Sequence, residues 1–136
     1  MQAKKTLALA SQNLSNDQGQ ISAEHIQLNQ QNQLMNSGTI YAEQHLNIKN
    51  NETANQGLIG SGKDVSLFSG KISSAKGSTL AAGLAADGKL KETGDLTVQV
   101  DAAAIHGNVF SGKEALIQAN QDLDVSEAII HVQEVE

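Results

Sequence analysis

The 136-residue chain contains no cysteine, no proline and no tryptophan, and all nine of its basic residues are lysine. Without cysteine there is no disulfide framework, no thiolate nucleophile and no Cys-ligated zinc. Without arginine, and with a net charge of −6 and a pI near 5.1, the chain lacks the usual means of gripping phosphates. Nucleic acid is therefore not expected as a partner. Aromatic residues make up only 2% of the sequence, so the core must be built from Ala, Leu, Ile and Val in thin layers. No apolar run approaches membrane-spanning length, and membrane insertion is not expected. The early stretch TLALASQNLSNDQ also lacks the apolar run of a signal peptide, so any surface location would be inherited from a longer parent. Zero proline beside 12 glycines speaks against a disordered linker.

What the chain does have is a repeat. Gly19, Gly38 and Gly57 are 19 apart, as are Ile21, Ile40 and Ile59. Leu9, Leu28, Ile48 and Leu67 follow at steps of 19, 20 and 19, with Leu7, Ile26, Leu46 and Val65 two residues earlier each time. The pair returns as Leu96 with Val98 and as Ala115 with Ile117. This makes about six coils. The 31-residue step from Leu67 to Val98 marks one coil enlarged by roughly a dozen residues, within about 70–94. GLIGSGKDVSL from Gly57 and GNVFSGKEALI from Gly107 match with substitutions.

Within each repeat, apolar and polar residues alternate, as in IQLN, LNIK, VSLF and LTVQ, which is strand periodicity. Gly, Asn, Asp and Ser separate the runs and suit tight corners. Each repeat should hold two or three short strands of three to five residues. One such coil buries almost nothing, but a stack lets each strand pair in parallel with its copy about 4.8 Å above. The expected fold is all-β: a right-handed single-stranded parallel β-helix forming one unit over 1–136. Its inward ladder is Leu9, Leu28, Ile48, Leu67, Val98 and Ile117, joined by Ile21, Ile40, Ile59 and Val109 from a second strand.

Polar residues recur too. Asp17, Asn36 and Asn55 each stand two before the turn glycines Gly19, Gly38 and Gly57, with Gly107 as a later equivalent. The structural reading is a corner ladder of side chains bonded to the turn backbone and to each other; the functional reading is a row of ligand-binding amides. His25 and His45 occupy equivalent corners and would stack one rung apart, but two imidazoles without a carboxylate or cleft make a weak metal site. His106 and His131 fit no shared register. Paired carboxylates would suit a polysaccharide-cleaving solenoid. The acids, however, sit at corners, as Asp64 and Glu114 do, or in a loose group of Asp122, Asp124 and Glu127. With no arginine to stabilise an oxyanion and few aromatics to stack sugars, an enzyme is not expected. No catalytic, cofactor or metal residue is assigned, and neither a P-loop, a Rossmann glycine pattern, HExxH nor GxSxG occurs.

The phrases SGTIYAEQHLNIKNNETANQGLIGSGKDVSL and STLAAGLAADGKLKETGDLTVQVDAAAIHGNVFSGKEALIQA resemble the haemagglutinin repeats of filamentous-haemagglutinin-type exoproteins. The resemblance covers about residues 14–132 and is most specific from Leu80 to Val98. That family comprises the large two-partner-secretion proteins of Gram-negative bacteria, including adhesins and stems of contact-dependent growth-inhibition toxins. The resemblance implies a β-helical piece of a fibrous passenger at the cell surface or outside the cell. Its partners would be the flanking repeats of a longer parent, a dedicated outer-membrane transporter and a host-cell or bacterial receptor. A solenoid face that binds a receptor or glycan directly is the alternative role. The chain is expected to be a middle segment, and no functional residue is carried over, because the repeat has structural positions rather than a catalytic motif.

Overall fold

In a computed structural model, the structure describes residues 5–85, 87, 89–90, 93–126 and 128–132. The strands are β1 Thr6–Asn16, β2 Gln20–Asn36, β3 Thr39–Asn55, β4 Leu58–Ser61 and β5 Asp64–Ser74, then β6 Thr79–Ala82, β7 Asp95–Ile105, β8 Asn108–Ser111, β9 Glu114–Asp124 and β10 Ile129–Val132. Every pairing between them is parallel. The chain is a β-solenoid of about six turns.

Each turn lays residues on three faces. Face one is built from residues 20–23 and 39–42 followed by β4, β6, β8 and β10. Face two begins with residues 6–10, 25–29 and 45–49 and continues through the first halves of β5, β7 and β9; face three takes the second halves. The expected short strands are partly fused: β2 and β3 each run 17 residues and bend at the corners. Register slips between Ala23 and His25 and between Asn29 and Gln33 mark those bends. Pairing is interrupted at these bends and resumes in parallel register beyond each of them.

The periodic ladder is realised. Leu9, Leu28, Ile48, Leu67, Val98 and Ile117 are successive register partners, and Leu7, Ile26, Leu46, Val65, Leu96 and Ala115 form a parallel column. Face one contributes Ile21, Ile40, Ile59, Leu80, Val109 and Ile130. A further column on face three, Leu14, Leu34, Thr53, Ile72, Ala103 and Leu123, completes the interior. Middle rungs are fully buried, each aliphatic side chain contributing about 1.5–3 kcal/mol. Leu7, Leu9, Leu14, Ala115 and Ile117 are only partly buried. Their rungs have a neighbour on one side alone.

The enlargement falls within the expected span of 70–94. Residues up to Ala82 keep regular register, with Thr79 to Ala82 lying over Leu58 to Ser61. Of the extra length, ten residues lie in the corner 83–94, where Gly62 and Lys63 make the turn in two one rung earlier, and two lie in the corner 75–78, where residues 56–57 suffice one rung earlier. Gly83 and Gly94 bracket it with φ of +77° and +108°, a conformation that side chains resist. Within it, Leu84 and Leu90 form an antiparallel bridge, and Ala85 N–H donates to Lys89 O at 2.8 Å.

Candidate functional site

At the corner between faces three and one, amide side chains point inward and chain together. Asn16 Nδ2 donates to Asn36 Oδ1 at 2.8 Å, and Asn36 Nδ2 to Asn55 Oδ1 at 3.0 Å. The same Nδ2 groups reach backbone carbonyls: Asn36 to Leu58 O and Asn55 to Thr79 O, both at 3.0 Å. The ladder thus staples each corner to the rung above and is buried throughout. One member differs from expectation, because Asn16 rather than Asp17 takes the first position. Asp17 is exposed and accepts a hydrogen bond from Ser37 Oγ at 3.3 Å. The first corner holds one residue more than the next, and Gln18 absorbs it in a left-handed conformation with φ of 57°. Beyond Asn55 the column changes to Ser74, whose hydroxyl meets Ser78 Oγ at 2.7 Å, and then to Ile105.

The turn glycines stand beside this ladder. A Cβ added to Gly38 would run into the carbonyl oxygen of Gly19, and one on Gly57 into that of Gly38. Those carbonyls accept from Thr39 N–H and Leu58 N–H, each at 2.9 Å, so the rungs need this close approach. Gly107 holds the equivalent position later, packed against Ser78 and Ala75.

On the opposite corner, His25 and His45 do stack, with ring centroids 5.3 Å apart and planes 16° from parallel. His45 Nδ1 faces Asp64 Oδ2 at 3.3 Å, and Asp64 Oδ1 accepts from Asp95 N–H at 2.9 Å. The column continues to Glu114. Among the described residues no group of three or more His, Asp or Glu is arranged to hold a metal ion. His106 and His131 are not idle: His106 Nδ1 lies 2.7 Å from Ser126 O, while His131 packs edge-on to Phe110, its register partner on face one. Asp124 is capped by the Ser126 hydroxyl and N–H, which with nearby His106 hold its carboxyl below the ordinary value. Asp122 stands two residues earlier on the exposed strand β9, over Ala102, and Glu127 lies outside the described residues.

The outward column of face two carries Asn29, Lys49, Phe68, Gln99 and Gln118 on successive rungs. Phe68 is 42% exposed. It sits in an open groove with Lys49, Gln99 and Gln118, bordered along the next corner by Asn50, Ser69, Asp101 and Asn120. Ser69 Oγ donates to Asn50 Oδ1 at 2.7 Å, and Asn120 Nδ2 to Asp101 Oδ1 at 3.1 Å, so the border is ordered. Lys63 and Asp64 lie at the other edge of face two, outside the groove that Lys49 lines.

On face one, Leu84 at the start of the long corner lies over the sheet. Tyr41 Oη donates to Leu84 O at 2.7 Å, and Gly60 and Ala81 are buried although they point outward. Gly60 leaves room for the Leu84 side chain, which a Cβ there would touch. Burial, with Glu43 and Asp87 nearby, pushes the Tyr41 phenol above 10.0.

The ladders are structural, whereas the Phe68 groove offers an aromatic surface beside groups that both donate and accept hydrogen bonds. Comparison of the chain with family models, with curated proteins and with solved structures returns no match.

Proposed function

We propose that this chain is a rigid spacer within the stalk of a large secreted, cell-surface filament of the adhesin or growth-inhibition type. The observation that carries this reading is the stack itself: six rungs in register on all three faces, with inward apolar columns running to both ends. Such an object gains stability from each neighbour it acquires and is built to be continued. Ile117, Leu123 and Ile130 close the last rung with apolar side chains, Leu123 and Ile130 about half exposed, and a following coil of a longer parent would cover them. The resemblance to haemagglutinin repeats supplies the context: flanking repeats as immediate partners, and export through a two-partner outer-membrane transporter. A stalk needs no catalytic centre, and we place none on it.

The test is surface proteolysis of intact source cells with peptide mass spectrometry. Peptides from this chain should be shed from wild-type cells and disappear when the transporter is deleted. Recovery from the cytoplasm alone would sink the stalk reading.

A further inference from the structure

We propose that the groove beside Phe68 binds a linear, neutral, β-linked glycan lying along the solenoid axis. An extended sugar chain presents flat C–H faces alternating with hydroxyl edges, so its receptor needs an apolar platform flanked by groups that donate and accept. Phe68 supplies the platform on an outward, exposed position. Gln99 and Gln118, next in its column, each carry a carbonyl and an NH2. Along the border, the Asp101 and Asn120 side chains are already joined by a hydrogen bond, which fixes their remaining polar atoms in place.

The spacing argues for a polymer. Groups one rung apart recur at about 4.8 Å along the axis, so an extended polymer lying there would meet donors and acceptors at regular intervals. The groove suits other occupants poorly. Lys49 is the only cation among its lining residues, too little for a phosphate backbone. A single phenylalanine amid amides also lacks the apolar centre of a protein interface. The site lies on a side face, away from the ends on which the stalk proposal rests, so its failure would leave that proposal intact.

The experiment is a titration of the 15N-labelled full chain with cellohexaose, chitohexaose and polygalacturonate, followed by amide chemical shifts. Cellohexaose or chitohexaose should move amides near Phe68, Gln99 and Gln118. Phe68→Ala should weaken that binding about tenfold, and Phe68→Tyr should retain it. Phe68 points outward, so both variants should keep the wild-type spectrum elsewhere. Shifts with polygalacturonate alone, no shifts at millimolar ligand, or equal affinity in Phe68→Ala would each overturn the proposal.

Discussion

Asn16 and Asn36 share a 2.8 Å hydrogen bond although they are 20 residues apart, whereas Asn36 and Asn55, joined in the same way, are 19 apart. The ladder tolerates the extra residue because the corner between Asn16 and Gly19 absorbs it. Asn36 is bonded on both sides, so its removal strands polar groups above and below. Asn36→Ala should cost about 3 kcal/mol in urea unfolding, and Asp17→Ala under about 0.5 kcal/mol. Equal costs would show that the amides do not act as a ladder.

Two glycines should respond to alanine for different reasons. At Gly57 the new methyl would strike the Gly38 carbonyl, and a loss of about 3 kcal/mol or more is expected. At Gly77, with φ of +88° and open space around it, only the left-handed backbone resists, at about 1 kcal/mol. Thermal unfolding of both variants gives the comparison, and the order should not reverse.

Tyr41 is the sole tyrosine, so its ionisation can be followed by absorbance without ambiguity. Its folded pKa lies above its unfolded value of 10.0, so folding favours the protonated phenol. The resulting stabilisation is complete below pH 10.0 and is lost as pH rises through the folded pKa. The titration midpoint should fall back towards 10.0 in urea. A native midpoint at or below 10.0 would contradict the burial of the phenol beside Glu43 and Asp87.

Asp124 should behave in the opposite sense. Its folded pKa is lowered, so its contribution is present above the unfolded value of 3.8 and fades as pH falls through the folded one. Ser126→Ala removes the capping hydroxyl and should raise the Asp124 pKa in a carboxyl-carbon NMR titration; an unchanged value would mean the cap is unimportant.

The isolated chain should self-associate through its uncovered last rung. Leu123→Lys with Ile130→Lys should shift the sedimentation profile towards monomer, and because both sites are already half exposed, unfolding midpoints should change little. A wild-type chain that stays monomeric at high concentration would count against this.

The columns through Leu9 and Ile21 were legible in the sequence because aliphatic residues recur there at nearly constant spacing. The column on face three was not, since Thr53 interrupts its apolar character and Ala103 its bulk, although both are buried in the stack. Asp17 was chosen over Asn16 because counting back from Gly19 cannot register one additional corner residue. The alanine-rich TLAA segment is a regular rung inside the span that holds the enlargement, and Leu84 lies over the same face beside Gly60. Phe68 was invisible as a site, because the groove joins residues from separate rungs.

The 83–94 excursion leaves the rungs on either side of it in step: Val65 still partners Leu96, and Leu96 partners Ala115. Added residues here increase girth and not height. A fibre of this design can therefore acquire ornament at its corners while the reach from root to tip, set only by the number of turns, stays unaltered.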